Sequence, residues 1–286
     1  MPWGTVAGEG QVPVTSQDAA GGPSPAEPSS FDTTRAHPAR VYDYWLGGKD
    51  NYEADRQAAI AVMEAIPTIL AGVRANRAFL GRAVQFLAGE AGIRQFLDIG
   101  TGLPTAENTH EVAQAIAPDS RIVYVDNDPI VLAHARALLT STAQGVTTYI
   151  QADARDPDRI LHEAARTLDF SQPVAVMVLL VMQYIPDEFQ PHQIIRQIMD
   201  AMPSGSYLTM SDTTRDIDTE HVAAGVTRLN SRLGSTQFTA RSQAEIAAFF
   251  DGLDLVEPGL VPLPEWRNPG YAPVPQSAIC AVARKP

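Results

Sequence analysis

The chain is predicted to fold as an α/β protein: a mostly parallel sheet of seven strands, the last one reversed, with helices on both faces and a helical cap in front. Three observations predict this. From residue 95 onward, short β-rich runs ending in Gly or Asp alternate with helical stretches, the pattern of βαβ units. The run 174–182 is apolar throughout, as suits a strand covered on both sides. Between the last two runs lies a Pro-rich connection, 258–275, with no room for a crossover helix, so the final strand returns antiparallel as a hairpin partner of the sixth.

Element by element, the strands are expected at 95–100, 121–126, 147–153, 174–184, 206–213, 253–261 and 277–283. Helices are expected at 106–116, 130–139, 158–167, 187–202, 219–233 and 244–250. Ser242 with Glu245 three residues later forms a capping box for the last helix. Ahead of the sheet, residues 39–92 form the cap. An aromatic segment, Arg40 to Leu46, stops at Gly47-Gly48. Apolar residues then recur at helical spacing through Ile60, Met63, Ile66, Ile69, Val73, Phe79 and Val84, with a break at Pro67. Residues 1–38 hold 5 Gly and 6 Pro and few large apolar residues, which predicts a disordered tail. The division is thus 1–38 tail, 39–92 cap and 93–286 ligand-binding domain.

Composition narrows the function. The 286 residues carry a formal charge of −12, which repels nucleic acid and anionic lipid. Cys280 is the single cysteine, which excludes an intramolecular disulfide framework and predicts a small buried apolar residue. No run approaches the apolar length of a membrane span and no signal peptide is evident, so the expectation is a cytoplasmic protein without a membrane partner. Six scattered histidines show no ligand spacing, so no metal is expected, and His37 is expected to be a solvated tail residue.

The chemistry gathers at the strand ends. The first strand runs into Asp98-Ile99-Gly100-Thr101-Gly102-Leu103-Pro104-Thr105, where the glycines allow a tight turn and close approach to a ligand, and the next helix N-terminus favours an anionic group. The second strand ends in Asp126, 26 residues beyond Gly100, where a carboxylate accepts both hydroxyls of a ribose. The third ends in Asp153, suited to an exocyclic adenine amine. Thr105 occupies the place where a dinucleotide fingerprint needs a small residue, and Asp98 is a poor neighbour for a pyrophosphate but a good one for an ammonium. An amino acid joined to a nucleoside fits this set better than a diphosphate does, and that is the shape of S-adenosylmethionine.

With those residues in hand, 95–285 resembles a Rossmann-like class I S-adenosylmethionine-dependent methyltransferase. The segment Ala39-Arg40-Val41-Tyr42-Asp43-Tyr44-Trp45-Leu46-Gly47-Gly48-Lys49-Asp50-Asn51-Tyr52, with Arg74-Ala75-Asn76-Arg77 and the glycine loop, is similar to an actinobacterial family of S-adenosyl methyltransferases long labelled a domain of unknown function. Two Lys against nineteen Arg agrees with a GC-rich genome of that kind. The resemblance implies that Asp98, Gly100, Thr101 and Gly102 hold the methionine portion, Asp126 the ribose, and Asn127, Asp153 and Ala154 the adenine. It implies that Met182 lines the site near the sulfonium and that Tyr42, Asn51 and Tyr52 close over the cofactor. Trp45, Tyr44 and Arg77 are candidates for the acceptor pocket, and Tyr184 and Asp212 for the groups facing the methyl. The family pattern expects a Leu-His pair after strand four, where this chain has Met182-Gln183, and an amide does not titrate. The leading expectation is methyl transfer to a small-molecule acceptor, by alignment and exclusion of water. The alternatives are a regulatory protein that binds S-adenosylmethionine or S-adenosylhomocysteine without turnover, and an NAD-dependent oxidoreductase.

Overall fold

The computed structural model describes residues 32–105, 107–138, 141–271 and 276–286. The predicted tail over 1–31, the predicted helix start at Ala106, the predicted helix end at Leu139 and the end of the Pro-rich connection lie outside them.

The cap is built first. Helix α1 (Pro38–Trp45) opens with proline, whose fixed φ suits a first turn, and the His37 ring caps it by accepting from the Ala39 N–H. His37 is therefore not the solvated tail residue expected, and its Nδ1 also lies 3.2 Å from Asp128. After α1 the chain doubles back on Asp43, whose Oδ2 accepts from the Asp50 N–H (3.0 Å) and from Asn51 Nδ2 (2.8 Å). Gly48 lies so close to that carboxylate that a Cβ would overlap it, which explains the glycine there. Helix α2 (Glu53–Ala65) follows, and Thr68 begins α3 (Ile69–Gln85), which continues into a π turn over Phe86–Glu90. At the Pro67 break the two helices bend by 105°.

The sheet comprises β1 (Gln95–Ile99), β2 (Arg121–Asp126), β3 (Val146–Gln151), β4 (Ala175–Leu179), β5 (Tyr207–Thr213), β6 (Asp254–Leu255), β7 (Val261–Pro262) and β8 (Ala278–Arg284). Their order is β3-β2-β1-β4-β5-β8-β6, with β7 also on β8. The first five run parallel, and β8 lies antiparallel to β5 over seven residue pairs. The reversed last strand is as expected, but it inserts between β5 and β6. The single sixth strand expected over 253–261 is two short pieces, because Pro258 brings no N–H to a ladder and Gly259 turns at positive φ. Strand four also stops earlier than expected. It ends at Leu179, Leu180 takes a left-handed conformation (φ 57°), and Met182–Tyr184 is a 3-10 turn.

The remaining helices are α4 (Thr109–Ile116), α5 (Pro129–Leu138), α6 (Pro157–Ala164), α7 (Pro191–Asp200), α8 (Thr219–Asn230) and α9 (Gln243–Ala247). The predicted Ser242–Glu245 capping box begins α9. Strand alternation sorts the core onto two faces. Leu97, Val123 and Val176 pack with Ile160, Ile194 and Phe249 on one side. Phe96, Ile122 and Met177 pack with Phe79, Leu87 and Trp266 on the other. Cys280 is fully buried in the second layer. A third cluster joins the cap to α8 through Val41, Trp45, Val62, Val73 and Leu229. Because the strand order reverses between β1 and β4, their carboxyl ends diverge and leave a crevice under the cap. Among the described residues, no single helix is long and apolar enough to cross a membrane.

Candidate functional site

The crevice widens into a cavity of about 520 Å³. Its floor is the turn after β1. The Gly100 N–H donates to Val125 O (2.7 Å), Gly100 sits at φ 72°, and a Cβ there would overlap the Val181 side chain. Gly102, at φ 66°, has open space where a Cβ would stand, and its N–H donates to Asp126 Oδ2 (2.8 Å). Thr101 between them donates its hydroxyl to Gly102 O (3.1 Å).

Asp98 is buried at the end of β1 and accepts from the Thr109 hydroxyl (2.6 Å). Burial is the main reason its pKa is pushed up to about 6. The Thr109 hydrogen bond and the Arg77 charge act the other way. A carboxylate in that setting favours an arriving cation.

Asp126 closes β2 with both oxygens engaged, Oδ2 by Gly102 and Oδ1 by the Asp128 N–H (2.9 Å). Burial raises its pKa against these bonds. Each of its oxygens keeps a lone pair for a hydroxyl. Asp153 behaves differently. Arg155 grips both oxygens through Nε (2.9 Å), Nη2 (2.6 Å) and its backbone N–H (2.9 Å), and holds the carboxyl below the usual range.

The acidic and glycine residues of the strand ends, with Asn127 and Ala154 beside them, line the cavity wall. So do Tyr42, Trp45, Arg77, Gln183 and Tyr184 from the cap and the loop after β4. Five expected site residues do not, the first being Tyr44, which packs on the cap cluster beside Val41 and Trp45. Asn51 is folded into the Asp43 loop, its amide nitrogen donating to Asp43 and Gly48 O while its oxygen accepts from Arg56. Tyr52 packs beside Leu103 and Ile130 as the residue before α2. Met182 is fully buried in the core because β4 ends before it, and Leu180 and Val181 face the cavity in its place. Asp212 lies within β5, fully buried, 3.7 Å from Arg241, with burial pushing its pKa up to about 7.

Several wall residues were not singled out by sequence reasoning. Asn76 links two elements, donating to the Tyr42 hydroxyl (3.1 Å) and accepting from Ser211 Oγ (2.8 Å), and Tyr42 in turn donates to Val73 O (3.2 Å). Tyr149 stacks on Tyr124 with ring centres 4.9 Å apart, beside Thr101. Only the Arg74–Arg77 segment of the cap signature carried a signal for Asn76; nothing in the sequence marked Tyr149.

The far half of the cavity is largely apolar, walled by Val62 of α2, Ile66 just past its end, Val73 of α3, and Val222 and Leu229 of α8. Gly225 lets α8 press onto α2, since a Cβ there would overlap Ile66. The loop carrying Gln183 and Tyr184 into this half is held from beneath by Arg241, 1% exposed, which donates to Met182 O (2.8 Å), Ile185 O (2.7 Å) and Asp187 Oδ1 (2.7 Å).

The sequence profile described as S-adenosyl methyltransferase matches residues 24–286. A Streptomyces avermitilis protein of the family with domain-of-unknown-function number 574 is 45% identical, with a TM-score of 0.85 over 89% of this chain and 99% of its own. A Thermobifida fusca protein assigned to the methyltransferases is 40% identical, with a TM-score of 0.81 over 88% of this chain and 96% of its own. A plantazolicin methyltransferase in complex with S-adenosylhomocysteine, 11% identical at a TM-score of 0.50 over 86% of this chain and 95% of its own, shares the fold alone. No curated protein matches. The chain belongs to the S-adenosyl methyltransferase family, and it is an S-adenosylmethionine-dependent methyltransferase.

Proposed function

We propose that the protein methylates a small molecule held in the apolar half of the cavity, while the polar half at the strand ends holds the cofactor. The observation that carries this reading is the division of one cavity into two chemically distinct parts, a size and lining typical of small-ligand sites. The residues fit the cofactor. Asp98 offers a buried carboxylate with affinity for a cation, suited to the amino group. Asp126 offers two oriented oxygens for the ribose hydroxyls. Gly102 leaves the backbone open to close approach. Asn127, Asp153 and Ala154 stand at the adenine edge, with Arg155 sharing the Asp153 carboxylate.

S-adenosylmethionine, when bound, supplies a methyl group already activated by its sulfonium. The chain then has to align the acceptor and exclude water, and the packed aliphatic walls of α2, α3 and α8 are suited to both. Gln183 cannot take a proton, so no base is assigned to it. A net charge of −12 disfavours a nucleic-acid acceptor, and a cytoplasmic setting suits a chain whose one thiol is buried. Calorimetric titration with S-adenosylmethionine, S-adenosylhomocysteine and NAD, beside Asp126→Ala, tests the cofactor half. Both sulfur compounds should bind and NAD should not. Losing the charged hydrogen bonds of Asp126 should weaken binding by about 1.5–3 kcal/mol. Unchanged affinity in the variant would remove Asp126 from the site.

A further inference from the structure

The loop after β4 brings two hydrogen-bond donors to the apolar half of the cavity. Gln183 Oε1 accepts from both the Thr213 N–H (3.1 Å) and the Thr213 hydroxyl (2.7 Å). These two bonds fix the amide orientation, since the flipped amide would set its NH₂ against the Thr213 N–H. The residue is pinned from its other side by the Thr239 N–H, which donates to Gln183 O (2.7 Å). With both carbonyl lone pairs taken, the end of the amide left for the cavity is the NH₂ group, which only donates. Tyr184 stands next to it, its hydroxyl hydrogen-bonded to the Gln183 side chain, which leaves the amide a second N–H, and its ring is held edge-on by Phe238 at 5.3 Å. Burial raises its pKa far above neutrality, so the hydroxyl keeps its proton and donates. The Tyr42 hydroxyl, also on the wall, is already engaged by Asn76 and Val73 O, and Thr68, Ser235, Thr236, Gln237 and Gln276 add to the polar lining.

Charge is grouped elsewhere. The charged side chains lining the cavity are Asp98, Asp126, Asp153 and Arg155 at the strand ends, His37 beside Asp128, Arg77 in the field of Asp98, and Glu188. Glu188 adjoins Phe189, whose ring carries the Arg155 guanidinium, and so belongs to the nucleoside rim. An ion entering the aliphatic half would lose its hydration among the uncharged side chains of Val62, Ile66, Val73, Val222 and Leu229.

We propose that this half admits an uncharged, mainly apolar acceptor and grips it through a hydrogen-bond-accepting atom, such as a carbonyl, ether or unprotonated ring nitrogen, with the Gln183 amide and the Tyr184 hydroxyl as donors. The proposal rests on the reading of this half as the acceptor chamber.

Four probes of one size test it by ligand-observed NMR on protein saturated with S-adenosylhomocysteine: acetophenone, isopropylbenzene, benzoate and benzylammonium. In the wild type, acetophenone and isopropylbenzene should bind and the two ions should bind more weakly than acetophenone. Tyr184→Phe should weaken acetophenone about five- to tenfold and leave isopropylbenzene unchanged. Gln183→Glu keeps an acceptor for Thr213 but replaces the donor with a negative charge, so it should weaken acetophenone and favour benzylammonium. Unaltered S-adenosylhomocysteine affinity shows that each variant is folded. Equal losses for acetophenone and isopropylbenzene in both variants, or ions binding as tightly as acetophenone in the wild type, would overturn the donor proposal while leaving the chamber standing. If no probe binds, the small-molecule chamber itself fails, and the proposal with it.

Discussion

Replacing Asp98 with asparagine isolates the charge at the end of β1 while keeping a partner for the Thr109 hydroxyl. An ordinary aspartate titrates near 3.8, and burial takes this one to about 6. At about 1.4 kcal/mol for each tenfold change in proton affinity, holding Asp98 ionised in the ligand-free protein at pH 8 costs on the order of 3 kcal/mol. The folded state binds this proton more tightly than the unfolded state, so the wild type loses stability as pH rises from about 4 to about 6, then stays level. Asp98→Asn should therefore be more stable than the wild type in urea denaturation at pH 8, by up to about 3 kcal/mol, and by roughly half that at pH 5. Its ligand binding should move the other way. Loss of a charge-assisted hydrogen bond to the cofactor amino group should weaken S-adenosylhomocysteine about 10- to 150-fold at pH 8. Wild-type affinity should fall by up to tenfold per pH unit below about 6, while the variant's stays flat. Equal affinity of the two proteins at pH 8, or a flat wild-type profile from pH 5 to 7, would refute the reasoning.

Two further outcomes follow from packing. Gly100→Ala places a methyl group against Val181 at φ 72° and should cost about 2–3 kcal/mol, part of it recovered in a Val181→Ala background; chemical denaturation of the four proteins checks this. Arg241→Met strands the Asp212 carboxylate and two loop carbonyls and should cost about 3–5 kcal/mol, with Asp212→Leu restoring much of it, as read from melting curves.

What can be read from sequence depends on whether a residue's position follows from local pattern. Asp126 is such a case: the run Ile122 to Val125 announces a strand, and β2 ends at that acid. The cap signature is legible as a unit for a similar reason, because Asp43, Gly48 and Asn51 fold on one another within a few residues. The same compactness misleads about Asn51, whose amide serves the loop. Met182 turns on a different kind of fact. Whether it faces the cavity depends on the chain leaving β4 at Leu180 through a left-handed turn, a conformation that a leucine does not advertise. Asp212 stays inside β5 because that strand runs on to Thr213. Arg241 depends on contacts more than fifty residues away along the chain, which no periodicity records. The run 253–261 reads as one strand although Pro258 stands within it, and the insertion of β8 between β5 and β6 leaves no local mark either, since antiparallel pairing leaves the choice of neighbour to packing.

Gly225 has a consequence for how such an enzyme changes over generations. Two of the helices that wall the apolar half, α2 and α8, approach across the thickness of one missing side chain, and the nearest atoms belong to Ile66 at the end of α2. A glycine codon becomes an alanine codon by a single base change. That change would push Ile66 aside and alter the chamber's width, while Asp98, Asp126 and the turn between Gly100 and Gly102 kept their places on the sheet. On the proposed reading of the two halves, what is methylated and what donates the methyl group are inherited through separate parts of the chain, and a lineage can explore new acceptors without losing its grip on the donor.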